Sequence, residues 1–285
     1  MELDVTELSK HIIFEHTRED YSIYKMNFHL HNKFEIYFFI RGSVNYFIEK
    51  SVYRLKYGNL LIMNDHEIHR SCPEDGVPYE RIIIHFHPSL LKFLSTEKYD
   101  LSSCFLDRET GKNNLFLLNE AQINTLLGLF YKMEALDEKK YYYEHMKFSY
   151  FIEILVFINE IFKDSMHREE NNVISSKLKP ILDYIDTNLE QNLSLDHLVE
   201  KFFINKYYLS RLFKNTTGSN LNDYIRYKRL SRAKSLLAEG RDVTETCVLS
   251  GFNDYSHFIR TFRNTVGVSP GKYRKTLIYP SHDET

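Results

Sequence analysis

The chain has 285 residues, 43% hydrophobic and 27% charged, which suits two domains with real cores and excludes a largely disordered protein. No apolar run approaches the roughly 18 residues of a membrane span, and Glu2, Asp4 and Glu7 stand where a secretion signal would be apolar, so a cytoplasmic protein with no membrane attachment is expected. The net charge of -2 conceals a division: residues 1–174 sum to -7 and residues 175–276 to +7, which suggests that the C-terminal part faces a polyanion.

In chain order, residues 34–40, 44–49, 51–55, 60–63 and 79–87 read as short β-rich runs. Turn signals at Arg41-Gly42, at Tyr57-Gly58-Asn59 and between Pro73 and Pro78 separate them. Such a pattern predicts an antiparallel barrel or sandwich. Cys72, Cys104 and Cys247 show neither a CxxC pair nor regular spacing, so reduced thiols are expected rather than disulfides or structural zinc.

The run from His29 through His31 and Glu35 to Gly42 resembles the first motif of the cupin barrel. Gly58 followed by His69 resembles a degraded second motif, with Asn64 and His66 where that motif prefers proline and glycine. His29 and His31 share a face at period two, and Glu35 with His69 completes three histidines and one carboxylate, a set able to hold a divalent transition metal. The favoured expectation is instead a small-molecule effector inside the barrel, contacted by Glu35, Tyr37, Tyr46 and His69, with no cofactor.

Residues 120–133 and 141–164 have helical periodicity. The second stretch carries Met146, Tyr150, Ile154, Phe157, Ile158 and Ile161 as a broad apolar stripe, which either packs on the barrel or forms a homodimer interface. The polar run at 167–172 reads as a linker.

The C-terminal part contains a repeat. Residues 211–218 read RLFKNTTG and residues 260–267 read RTFRNTVG, 49 positions apart, and a tyrosine follows each glycine by six residues, at Tyr224 and Tyr273. Each copy opens with a short amphipathic segment and continues, after a turn, into a longer basic helix. Asn205 can N-cap the first long helix and Asn253 or Asp254 the second, and Gly218 and Gly267 end them. Leu209, Leu212 and Phe213, with Phe258, Ile259 and Phe262, form the inward stripes. Tyr207, Ser210, Arg211 and Lys214, with Ser256, His257, Arg260 and Arg263, are left outward. Two such helix-turn-helix units could set two recognition helices about one DNA turn, roughly 34 Å, apart.

From Leu193 to Arg274 the sequence resembles the AraC/XylS DNA-binding domain, including its Gly251-Phe252 and Ser269-Pro270-x-x-Tyr273-Arg274 elements. The resemblance implies seven helices, recognition helices over about 206–215 and 254–264, and base-facing positions at Tyr207, Ser210, Arg211, Ser256, His257 and Arg260. Phe203 departs from the glycine usual in the first turn, and Val199 and Cys247 from the usual alanines. The expected fold class is therefore α+β with two domains: a cupin-like barrel with a helical dimerisation element over 1–164, a linker over 165–174, and an all-α double helix-turn-helix over 175–276. The resemblance implies a transcription regulator, not an enzyme, with double-stranded DNA, RNA polymerase, a second copy of the chain and a small effector, a sugar by family habit, as partners. The competing reading is a metal-dependent cupin enzyme, liganded by His29, His31, Glu35 and His69, with an attached DNA-binding region.

Overall fold

A computed structural model describes residues 4–20, 28–165 and 177–278. The expected linker at 165–174 lies almost wholly outside the described residues.

The barrel is made of two facing antiparallel sheets. One runs in the order β1(Ile12–Asp20), β7(Tyr79–Phe86), β2(Phe34–Arg41), β5(Asn59–Met63), β8(Leu115–Leu117), and the other β4(Ser51–Arg54), β3(Val44–Ile48), β6(His69–Pro73). Because side chains alternate across a strand, each sheet has an inner set and an outer set, and here both are covered. In β2, Tyr37 and Phe39 point inward to meet Tyr46, Tyr53, Leu61, Met63 and Tyr79, and this aromatic cluster fills the interior. Phe34, Ile36 and Phe38 point outward and join Leu60, Ile62, Ile82 and Ile84 under a helical layer. Burial on two faces is why these strands read as unbroken apolar runs rather than alternating ones.

That helical layer consists of α1(Val5–Lys10), α2(Ser89–Leu94), α3(Ser103–Leu106), α4(Glu120–Glu134) and α5(Tyr143–Ser165). A capping box between Asn119 and Gln122 starts α4. In α5, Ile154, Ile158 and Ile161 of the expected stripe are buried in the barrel's core with Phe151, Leu155 and Phe162, so packing on the barrel uses most of that face. Strands β1, β6 and β8 and helices α1 to α3 were not foreseen.

The C-terminal part is all helical, with the seven helices implied by the resemblance: α6(Lys179–Thr187), α7(Leu195–Phe202), α8(Lys206–Thr217), α9(Leu221–Ala238), α10(Val243–Leu249), α11(Tyr255–Val266) and α12(Pro270–Ile278). Ser194 and Asn205 cap α7 and α8, and Asp242 and Asp254 cap the equivalent α10 and α11, each side chain accepting from free backbone N–H groups of the first turn. Both long helices end in the left-handed region, at Gly218 with φ 72° and Gly267 with φ 88°. The repeat is also a repeat of packing. Phe213 meets Tyr224 edge-on at 5.6 Å between ring centroids, and Phe262 meets Tyr273 in the same way at 5.6 Å.

The two turns differ in one respect. Gly251 takes φ 87°, and a Cβ there would stand 1.9 Å from the Leu189 carbonyl oxygen, so only glycine fits. The corresponding Phe203 adopts the same left-handed conformation at φ 51° but is 95% exposed. It therefore leaves the turn's course intact at the expense of a strained backbone. A left-handed non-glycine residue costs about 1–2 kcal/mol, partly offset in a glycine variant by the greater freedom of its unfolded chain. Phe203→Gly is expected to stabilise the folded protein by roughly 1 kcal/mol, read as a higher urea midpoint with an unchanged slope.

Candidate nucleic-acid interface and histidine cluster

The exposed faces of α8 and α11 carry the expected residues. Leu209 and Phe213 in α8 and Phe258 and Phe262 in α11 are buried. Tyr207, Ser210, Arg211 and Lys214, and Ser256, His257, Arg260 and Arg263, are all exposed, with Tyr207 85% exposed. Arginine can donate two parallel bonds to guanine O6 and N7, and short polar side chains can reach either base type, so both faces offer chemistry that reads a major groove. Asn205 and Asp254 fix the start of each helix, and in helix-turn-helix proteins generally the N-terminal residues of the second helix are the ones that contact base edges. Between the two units an open groove of about 630 Å³ runs past Asn192, Asn222, Arg226, Arg229, Asn253 and His257.

The second site lies where one edge of the barrel closes. Glu35 Oε2 is approached by three imidazoles: His31 Nε2 at 3.1 Å, His69 Nε2 at 3.1 Å and His85 Nε2 at 2.9 Å, while the Tyr46 hydroxyl donates to Oε1 at 3.1 Å. Topology brings these together. Glu35 and His85 are ladder partners on β2 and β7, and a bridge between His29 and His69 ties the segment before β2 to β6 of the other sheet. Of the expected effector residues, Glu35, Tyr46 and His69 belong to this cluster. Tyr37 stands against Tyr46 at 4.8 Å between centroids, buried, with a hydroxyl that has no hydrogen-bond partner. His85 was missed in the sequence, although it sits on the same parity as Tyr79, Arg81 and Ile83 of β7.

Burial pushes the Glu35 carboxyl up, but the charge of His69 and the bonds from His31, His69 and His85 outweigh it and hold the group well below its ordinary value of 4.5. Burial also lowers His69, which the Glu35 carboxylate overcomes, raising it above 6.5. For His31 burial prevails and the value falls. Each ring has a second constraint: Nδ1 of His31 lies 2.9 Å from the Lys33 carbonyl and Nδ1 of His69 lies 2.9 Å from that of Glu67. If Nδ1 of a neutral His31 carries the proton, its Nε2 lone pair faces the carboxylate. That contact is repulsive unless a cation lies between them. His29, His31, Glu35 and His69 offer ligand atoms within 4.8 Å of one another, and ligands around 2.1 Å from one ion stand up to about 4.2 Å apart. The donor set could therefore hold a divalent transition metal after closing by about 0.6 Å or more.

The architecture is that of a ligand-binding barrel joined to a double helix-turn-helix DNA reader. Residues 11–138 match the AraC-like ligand binding domain and residues 198–276 match the helix-turn-helix domain. The multiple antibiotic resistance protein MarA of Escherichia coli strain K12 is 35% identical over 112 residues, which are 39% of this chain and 87% of MarA. Regulatory protein PocR of Salmonella typhimurium is 30% identical over 130 residues, 43% of each chain, so the match spans less than half of PocR. The solved structure of ToxT from Vibrio cholerae O395 is 16% identical, aligned over 95% of this chain and 99% of that one with a TM-score of 0.39. This chain belongs to the AraC family of transcriptional regulators. Among the described residues no helix is long and apolar enough to cross a membrane.

Glu35→Gln removes the charge around which three histidines are arranged, and breaking a buried charged pair costs about 3 kcal/mol. The lowered carboxyl stabilises the fold above its ordinary 4.5 and stops doing so as pH falls through its native value. The raised His69 stabilises it below its ordinary 6.5 and stops as pH rises through its native value. The advantage of wild type over Glu35→Gln in urea unfolding is therefore expected to peak between about pH 4.5 and 6.5 and to decline on both sides.

Proposed function

We propose that the chain is a cytoplasmic transcription regulator whose two recognition helices read successive major-groove segments of one duplex, under control of a small effector bound at the barrel cluster. One observation carries the reading: two copies of the same capped helix expose the same kind of polar, arginine-bearing face while burying the same aromatic pair. The division of the reading residues between Tyr207, Ser210, Arg211 and Lys214 on one helix and Ser256, His257, Arg260 and Arg263 on the other is part of the proposal. So are domain limits of 1–164 and 175–276 about a linker at 165–174, action as a homodimer, and contact with RNA polymerase. The effector's place is supported by the buried polar groups gathered at Glu35, Tyr37, Tyr46 and His69, in an interior otherwise filled by apolar and aromatic side chains. Within this reading the barrel senses and does not catalyse.

A second reading of the cluster is favoured by the two Nδ1-to-carbonyl contacts, which prepare Nε2 of His31 and His69 as donors. Here the effector is a divalent transition metal, held by His31, Glu35 and His69 with His29 closing the set. Protein purified without chelators and found with about one equivalent of metal, lost in His69→Gln, favours this reading over an organic effector.

The main proposal is tested by selecting bound DNA from a random duplex library at one fixed salt concentration, because phosphate contacts make affinity steeply salt-dependent. A motif with two contact blocks about one helical turn apart is expected. In Arg260→Ala, binding should weaken by about 1–3 kcal/mol with preference relaxed at one base. An unchanged motif in that variant removes Arg260 from the base-reading set.

A further inference from the structure

The turn between α7 and α8 holds a side chain for which the fold itself has no use. Phe203 sits in the left-handed region at φ 51°, where any side chain is strained, and its ring is 95% exposed. Its chain neighbours Phe202 and Ile204 pack against the core of the reader. Tyr207, in the first turn of α8, is 85% exposed. Two large aromatic side chains thus stand in water, four positions apart, at the start of the first recognition helix.

The course of the turn does not depend on that ring. The Ile204 N–H donates to the Val199 carbonyl at 3.1 Å, Asn205 caps α8, and Lys206 Nζ pairs with Asp196 of α7 at 2.5 Å, so the two helices are pinned together on either side of position 203. Glycine would follow the same backbone path without strain. In the second unit Gly251 does so, and there an added Cβ would meet the Leu189 carbonyl oxygen at 1.9 Å. A side chain at this place is therefore accommodated in one unit and excluded from the other. Backbone strain that no contact within the fold explains points to a role outside it.

The position indicates the role. In a helix-turn-helix the first helix crosses the DNA backbone while the second enters the major groove by its N-terminal residues, which sets the turn between them at the groove's rim. The apolar group that a base presents in the major groove is the C5-methyl of thymine, and phenylalanine is among the side chains that contact it. Burial against that methyl takes out of water a ring that the free protein leaves there. The rest of the exposed face of α8, at Ser210, Arg211 and Lys214, is polar and suited to hydrogen-bonding edges instead.

We propose that Phe203, together with Tyr207, reads a thymine by its methyl group in the DNA segment bound by α8. The proposal rests on the DNA reading set out above and adds to its polar set a residue that works by apolar contact. It also makes the two units unlike, because methyl dependence through this position belongs to one contact block alone.

The test uses the full chain and the duplex enriched by wild type, with copies in which single thymines are replaced by deoxyuridine, which lacks only the methyl. At one position of one block the replacement is expected to weaken wild-type binding about fourfold, the worth of one buried methyl group. Phe203→Gly and Phe203→Asn, both suited to a left-handed turn, should bind the thymine duplex about fourfold more weakly or worse and no longer distinguish it from that deoxyuridine copy. Phe203→Leu should keep part of the distinction. Weaker binding by Phe203→Gly with an undiminished urea midpoint separates the lost contact from a damaged fold. Variants that still tell thymine from deoxyuridine as wild type does overturn the proposal, as does an equal loss on every duplex or a Phe203-dependent methyl effect in both blocks. Wild-type affinity in all three variants also overturns it, and if association with RNA polymerase or a second copy is then lost, the ring belongs to a protein contact. A wild type that enriches no duplex defeats the DNA reading itself, whereas selective binding without Phe203-dependent methyl discrimination defeats the thymine contact alone.

Discussion

The burial of the β4–β3–β6 sheet on both of its faces is the constraint on which the rest of this molecule depends. A barrel strand ordinarily shows one face to the interior and the other to water, but here the outer residues Phe47 and Val52 join the core of the DNA-reading half. Phe28 and Phe47 of the barrel meet Phe213 and Tyr224 of the reader in one aromatic group, with centroids 5.1 to 6.4 Å apart. Burying a large apolar side chain is worth about 1.5–3 kcal/mol, so this group dominates the energy of docking. The charged contacts around it do something different. Buried pairs contribute little beyond what an apolar substitute would, yet losing one member is expensive.

The cluster illustrates how one buried charge organises its surroundings. Glu35 could not remain ionised inside an apolar barrel by itself, because desolvation favours the neutral acid. Three imidazoles and a tyrosine hydroxyl reverse that preference and orient themselves in doing so. A comparable solution recurs at Glu67, which is fully buried and held ionised by Arg108 at 2.5 Å together with the backbone N–H groups of Asn64 and Gly111. Between these two carboxylates runs the turn at residues 64–68, the segment on which α9 lands.

The helical half was legible because its signals are local. Caps at Asn205 and Asp254, the two glycines and the inward stripes each depend on residues within one or two turns, and the duplication let one copy check the other. In the barrel, strands with strong apolar runs were equally readable. Strand β6, with sequence HRSCP, was not, because its polar residues look like a loop. His69 is satisfied by Glu35, and Arg70 by a helix end more than a hundred residues later. Lys234 was hidden for the same reason: it lies among Leu230, Ala233 and Leu237 on an inward face, where only its partner from the other domain makes a lysine tolerable. His85 required knowing which residue of β2 stands opposite it. What local pattern could not supply, in every case, was the partner across the fold.

The two glycines that end the recognition helices are identical in backbone role but not in surroundings. Around Gly267 an added side-chain carbon meets nothing within 4 Å, whereas at Gly218 it meets the guanidinium of Arg70. The duplicated units have therefore ceased to be interchangeable parts. The second keeps its recognition-helix end clear of the barrel, although its turn at Gly251 still packs on the Leu189 carbonyl. The first is shaped around a foreign side chain, so its sequence is free to drift only in step with the barrel that grips it.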